Sequence, residues 1–356
     1  MAYTNTDVAP FARALIVGAA SLALAACAEE VQEAAKPMTI VGSSTVYPFA
    51  QKVAADTKAT DASLTDPVIS STGTSEGIAE FCKGQGSEAP DIVNASRRMT
   101  LDEFERCKAA GVADIIEVQI GRDGIVFASA QNKGLDLALT SGAVYRALAA
   151  YPFGEEQKAT NWGDVSRTLP SEPIIVYGPS ESSGTRDALL DVVMMPACIA
   201  DPSMAALEAS DGEAFERNCH AIRSDSAYIE QGEKDDLIVG KISNNPRAVG
   251  VFGYSYLEEN AEAIKGLTLD GVAPSAQTIA DGSYPGSRPL YMYVNKARIG
   301  VTPGLIEYLA TWPKSWKVNG PLAEIGLVPA TDEVLSESAS IIAEQITLNA
   351  DDFASQ

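Results

Sequence analysis

From residue 38 onward, short apolar runs alternate with stretches of helical period. Met38-Thr39-Ile40-Val41 predicts a buried strand. Pro48 suits the first turn of the helix that follows, because its missing N–H is not needed there, and the helix runs on through Phe49-Ala50-Gln51-Lys52-Val53-Ala54. Val68-Ile69-Ser70 predicts a second strand, with a helix near Gly77-Ile78-Ala79-Glu80-Phe81, and Asp91-Ile92-Val93-Asn94 a third. Strand, loop, helix, strand is the order of an α/β sheet. Two further apolar runs stand apart. Val118–Ser129 is broken by Gly121 and Gly124, and Leu290–Val294 follows the loop Tyr284-Pro285-Gly286-Ser287-Arg288-Pro289. These predict two strands crossing between domains, with residues 38–121 plus 296–350 in lobe 1 and 122–295 in lobe 2.

The N-terminus carries different information. The apolar run Ala14–Ala26 is shorter than the roughly 20 residues that span a bilayer, and suits an export signal over residues 1–26. It ends Leu24-Ala25-Ala26-Cys27, similar to the lipobox in which the cysteine is acylated. Residues 27–37 then form a lipidated N-terminus and polar tether, and the protein is expected to be exported and anchored to a membrane through Cys27. Ordinary signal cleavage, releasing a soluble protein, is the alternative. Cys82, Cys107, Cys198 and Cys219 remain, which suggests two disulfides in an exported chain. Three pairings are open; joining nearest neighbours in separate regions selects Cys82–Cys107 and Cys198–Cys219. With no Cys-x-x-Cys spacing, no metal is expected.

The 356 residues suffice for two cores. The formal net charge of -22 argues against nucleic acid or an anionic membrane surface as partner. It also works against long-range capture of an anion, so an anion site here must win locally.

Three segments nonetheless point to an anion: Gly42-Ser43-Ser44-Thr45-Val46-Tyr47-Pro48, Ser71-Thr72-Gly73-Thr74-Ser75-Glu76-Gly77 and Ser182-Ser183-Gly184-Thr185-Arg186-Asp187. Each is a Gly/Ser/Thr loop leading into a helix, whose first N–H groups are unpaired and sit at the positive end of the macrodipole. Small hydroxyl residues there let an anion reach the backbone. Ser44 and Thr45 offer hydroxyls beside the Val46 N–H. Thr74 and Ser75 are expected at the N-cap of the second helix, and Ser183, Gly184 and Thr185 at the start of the third. Three such loops suggest convergence on one compact oxyanion. All these donors are neutral, so a guanidinium is expected too, from Arg97 first and Arg186 second.

The segments resemble the PstS family, the periplasmic phosphate-binding proteins of bacterial ABC importers, over most of the mature chain. GSSTVYP is similar to the opening loop of one branch, STGTSEG to the family's Gly-Thr-Gly loop with Ser75 and Glu76 replacing glycines, and DIVNASR to its strand end before Arg97. Residues Gly178–Thr185 resemble its Ser-Gly-Thr loop, Asn244–Tyr254 its Gly-(Phe/Tyr)-Phe-Gly-Tyr segment, and Ser287–Val294 its second crossover. The resemblance implies an α/β, two-lobed (type II) periplasmic binding protein, each lobe a central mixed sheet flanked by helices, that closes on inorganic phosphate and delivers it to a permease. It implies no cofactor, a monomer, and membrane contact only through a lipid. By position, Thr45, Val46, Thr74, Ser183, Gly184 and Thr185 match anion-contacting residues. One branch has an aspartate where Arg97 stands, which accepts the proton of phosphate, and an arginine where Pro179 stands. The proton acceptor is therefore open, with Glu181 and Asp123 as candidates; sulfate has no proton to donate, and phosphate has.

Two other readings stay in view. One is binding of a different oxyanion: sulfate, molybdate or a phosphonate. The other is a phosphatase on the same fold. Against an enzyme, the single histidine, His220, sits beside Cys219 with no nucleophile elbow nearby, and Gly178–Thr185 lacks the lysine of a nucleotide phosphate loop.

Overall fold

The longest strand of the computed structural model, Ile115–Ala130, organises everything around it. The structure describes residues 36–354 apart from 85, 87–88, 182 and 233–234. The expected leader, Cys27, most of the tether and Ser182 therefore lie outside the described residues.

Eleven strands are present among the described residues: β1 (Thr39–Gly42), β2 (Val68–Ile69), β3 (Ile92–Ala95), β4 (Ile115–Ala130), β5 (Ala138–Leu139), β6 (Val176–Gly178), β7 (Tyr228–Glu230), β8 (Val249–Gly253), β9 (Ile264–Gly266), β10 (Thr268–Leu269) and β11 (Ser287–Asn295). The main sheet runs β2-β1-β3-β11-β4-β8-β6-β7, with β9 also on β4, and β5 pairs separately with β10. β4 is shared. Its first part pairs antiparallel with β11, from Ile115↔Asn295 to Gly124↔Ser287, and its last part with β8, from Ile125↔Gly253 to Ala128↔Gly250. It is buried along most of its length, which is why its sequence reads as a continuous apolar run instead of alternating.

On one side of this shared strand β1 lies parallel to both β2 and β3; on the other β6 lies parallel to β7 and β8. The expected mixed α/β fold is present. Parallel neighbours need helical crossovers, and the first helices supply them. α1 (Tyr47–Thr60) carries Pro48 in its first turn and buries Phe49, Ala50, Val53 and Thr57, one stripe at helical spacing. α2 (Thr74–Phe81) buries Gly77, Ile78 and Phe81. One core gathers Phe127, Tyr145, Trp162 and Phe252; a second gathers Ile40, Phe49, Met292 and Trp312; a smaller third holds Ile78, Phe81, Phe104 and Tyr293. Each large aromatic buried this way stabilises the fold by about 1.5–3 kcal/mol.

Both expected disulfides form. Cys82–Cys107 ties the end of α2 to α3 (Leu101–Ala109), and Cys198–Cys219 ties the end of the helical segment Gly184–Ile199 to the turn Glu216–His220. Closing loops of this size constrains the unfolded chain by about 3 kcal/mol each in the chain-entropy account.

Candidate functional site

Because β1, β2 and β3 are parallel, their carboxyl ends present their loops along one edge, where open α/β sheets bind ligands. Backbone hydrogen bonds tie these loops together. Ser43 N–H donates to Asn94 O at 2.9 Å, and the N–H groups of Thr72 and Gly73 donate to Gly42 O at 2.9 and 3.0 Å. A cavity of about 1420 Å³ opens there, lined by Ser43, Ser44, Thr74, Ser75, Ser96 and Arg97 from this side. Glu181, Arg186, Asp187, Asp191, His220 and Tyr228 line it from the other.

The first and third sequence loops meet directly. Ser44 Oγ donates to Asp187 at 3.2 Å, and Thr45 Oγ1 to Gly184 O at 3.4 Å. A Cβ on Gly184 would lie 2.9 Å from Ser44 Oγ and from Thr45 N and Oγ1, so only glycine permits this approach. Val46 is fully buried and its N–H points to Ser43 Oγ at 3.4 Å. Thr45, Val46, Ser183, Gly184, Thr185 and Asp123 form the junction beside the cavity and are not among its lining residues.

One expected cap is corrected. Gly73, not Thr74 or Ser75, is the N-cap of α2, with φ 83° and no side-chain cap bond. That backbone conformation favours glycine, and the helix starts one residue earlier than expected, at Thr74. Thr74 and Ser75 become the first helical residues, whose N–H groups have no partner within the helix. The Thr74 hydroxyl accepts from Ser96 N at 3.0 Å and shares a 3.0 Å bond with Ser96 Oγ. At the third loop Ser183 is the N-cap as expected, its Oγ accepting from Thr185 N at 3.2 Å.

Four arginines and seven carboxylates line the cavity, so its wall is acidic on balance and an anion depends on the few guanidinium groups. Arg97 donates from both Nη atoms to Glu103, at 2.9 and 2.8 Å, and from Nη2 to Ser75 Oγ at 3.0 Å. This fork raises the pKa of Arg97. Burial pushes the Glu103 carboxyl up, but the bonds from Arg97 and Thr100 more than offset it, and its net pKa lies below the usual value. Arg186 is buried over the Tyr228 ring, 4.8 Å from its centre, with Pro179 O at 3.4 Å and Glu230 at 3.5 Å. Arg223 is consumed by Asp225 at 2.8 and 2.6 Å and by the carbonyls of Ala147 and Ala159.

The fourth, Arg288, is the functional candidate that sequence reasoning missed. It stands at the start of β11, only 4% exposed, and donates from Nη2 to Thr45 Oγ1 at 2.6 Å and Gly184 O at 3.2 Å. Its Nε faces Asp123 at 3.3 Å, the partner that occupies that acceptor candidate, while Glu181 remains on the cavity wall. The signal was present in the charged residue of the Gly286-Ser287-Arg288-Pro289 loop at the mouth of a crossover strand. His220, the single histidine, bonds Glu216 through Nδ1 at 2.8 Å. Among the described residues, no group of three His, Cys, Asp or Glu residues is arranged to hold a metal ion.

Parallel strand ends from both sides of a shared strand, facing one polar cavity, define a ligand-binding protein of α/β class. Residues 28–312 match the PBP superfamily domain, and the chain belongs to that superfamily. The expected resemblance to the PstS family is borne out by its relatives. It is 28% identical to Protein SphX of Synechococcus elongatus, over 82% of this chain and 78% of that one. It is 27% identical to the phosphate-binding protein PstS of Staphylococcus saprophyticus, over 75% of this chain and 73% of that one. A crystal structure of a possible phosphate binding protein from Planctomyces limnophilus superposes with TM-score 0.68 at 25% identity, covering 88% of this chain and 99% of that one.

Proposed function

We propose that this protein binds inorganic phosphate in the periplasm and delivers it to the permease of an ABC transporter. The observation that carries the reading is that Ser44, Thr74, Ser75 and Arg97, taken from loops far apart in sequence, line one cavity with Arg186. The names of the relatives support phosphate as the anion. Helix-start N–H groups at Thr74 and Ser75 supply neutral donors, the junction residues Thr45, Val46, Ser183, Gly184 and Thr185 hold the first and third loops together beside the cavity, and the guanidinium groups supply full charge.

The cavity is far larger than one five-atom ion, given that a water occupies about 30 Å³. Closure of lobe 1 (38–121 plus 296–350) on lobe 2 (122–295), bending at β4 and β11, removes that excess, and the anion shifts the population to the closed form. Cys27 holds the mature protein at the membrane as a monomer, with residues 28–37 as tether.

Calorimetric titration of the mature protein with phosphate tests this reading. Saturable one-to-one binding, with compaction visible by small-angle scattering, is expected. Absence of heat with phosphate, or sulfate binding as tightly, overturns it.

A further inference from the structure

β4 and β11 are not the only chain at the point where the two sides of the sheet meet. Near Gly121 the register of β4 on β11 slips: Leu290 lies opposite Gly121 and Tyr291 opposite Gln119, which leaves Ile120 as a bulge. A bulge bends its strand, so β4 turns here. Opposite Arg122 stands Pro289, which has no N–H to give. The backbone groups of Arg122 go instead to a third segment. Its N–H donates to Val328 O at 2.8 Å, and its carbonyl accepts from Val328 N at 3.1 Å. Leu327 seats against the bare backbone of Gly121, where a Cβ would lie 2.8 Å from Leu327 Cδ1. Ser338, buried, donates from Oγ to Gln119 O at 2.8 Å. Gln119, Gly121 and Arg122, the bend itself, are thus all held by residues 327–338.

The segment is also anchored on both sides. Successive residues of an extended chain point in opposite directions. Leu327 is buried in the core of Ile40 and Trp312, and Val328 in the core of Phe127 and Trp162. Gly326 lies against the helix Tyr254–Glu259, where a Cβ would come within 3.0 Å of Ser255 Oγ. None of Gly326, Leu327, Val328 and Ser338 lines the ligand cavity. Rotation of one side against the other about residues 119–122 must drag two adjacent residues against two different cores, and packed interiors resist such shear.

We infer that residues 326–338 form a third hinge segment, a brace that holds the lobes open and sets how much of the anion's binding free energy closure consumes. The form with the wide cavity is the one in which these contacts are made. Weakening the brace therefore lowers the cost of closing and raises the closed population. Apparent affinity rises with that population, by the same factor, with no contact to the ligand changed. The inference rests on the closure reading above.

The test compares wild type, Leu327→Ala, Ser338→Ala and, as a control, Leu309→Ala, which truncates another buried residue of the Leu327 core. Each is titrated with phosphate by calorimetry and melted. The ligand-free closed population is read by single-molecule energy transfer between dyes on Val68→Cys and Leu237→Cys, both half exposed and one in each lobe, in a Cys27→Ser background. Leu327→Ala should raise the closed population and the phosphate affinity together, about five-fold each, and Ser338→Ala about two-fold. Leu309→Ala should lower the melting temperature and leave both readouts alone. A merely structural role for Leu327 would lower the melting temperature without tightening binding. If wild type binds no phosphate, the function proposed above fails, and the energy-transfer comparison alone decides the brace. An unchanged closed population in folded Leu327→Ala, or phosphate affinity that is unchanged or falls, overturns the inference. Should Leu327→Ala not fold, the same outcomes in Ser338→Ala overturn it.

Discussion

Arg97 and Arg288 look into the same cavity, but the chain has settled their charges in opposite ways. Arg97 follows β3 and meets a carboxylate that belongs to a helix cap. Glu103 Oε2 accepts from Thr100 N at 2.9 Å while Thr100 Oγ1 accepts from Glu103 N at 3.2 Å, the reciprocal box that starts α3. The carboxylate is thereby fixed, and Arg97 closes on it as a two-bond fork. Arg288 is divided among four partners, the neutral oxygens Thr45 Oγ1 at 2.6 Å and Gly184 O at 3.2 Å and the carboxylates of Asp123 at 3.3 Å and Asp191 at 3.5 Å. A guanidinium committed to a capping carboxylate is a structural cation that also borders the cavity. One suspended between loops and two carboxylates is committed to no single fork.

The largest effect that would break this contrast comes from the junction on which Arg288 depends. A Gly184→Val variant would place carbon against Ser44 Oγ and Thr45 Oγ1, forcing apart the two loops that Nη2 spans. Phosphate affinity should fall by about a hundred-fold or more, close to 3 kcal/mol, and the melting temperature should drop as well, because Val46 beside this junction belongs to a core. Calorimetry with a melting curve checks both; retained affinity would mean that the loops tolerate separation and that the junction is not part of the site.

A smaller effect is expected at Arg97. Arg97→Gln should weaken phosphate by about ten-fold, near 1.4 kcal/mol, because much of that charge is already neutralised. It should also lower the melting temperature, since Glu103 is buried and loses its partner. A larger loss than in Arg288→Gln would reverse the ranking of the two arginines.

The fold was legible where the pattern was local and repetitive. The apolar runs at 38, 68 and 91 became β1, β2 and β3 within a residue or two, and the two crossover runs became β4 and β11. The disulfide pairs followed from simple proximity in sequence. Hydroxyl loops were legible as helix starts, though the cap at Gly73 turned on a backbone angle that the run of Thr and Ser obscured. Arg288 showed in the sequence only as a charged residue in the loop before a crossover strand, and its partners were hidden, because Thr45 and Gly184 lie 243 and 104 residues away and no periodicity links them. Arg97 was legible as an arginine at a strand end, but its commitment to Glu103 was not, since a capping glutamate looks like any other acidic residue in a first turn.

The smallest effect sharpens the comparison most directly, because it changes the charge around Arg97 without touching Arg97. Glu103 has a folded pKa below the usual glutamate value of about 4.3, so its contribution to stability is whole above that value and is lost as pH falls through the folded pKa. Glu103→Gln should therefore be less stable than wild type at pH 7 by about 1 kcal/mol, a charge-assisted pair discounted because more than a third of the Arg97 side chain is exposed. The gap should close below about pH 4, as the wild-type carboxyl takes a proton. Urea unfolding across that range checks the sign, and a gap independent of pH would assign the effect to the capping geometry alone. In the same variant Arg97 loses its counter-ion, and phosphate should bind about two- to three-fold more tightly at pH 7. If affinity instead falls, Glu103 serves to aim the guanidinium at the ligand.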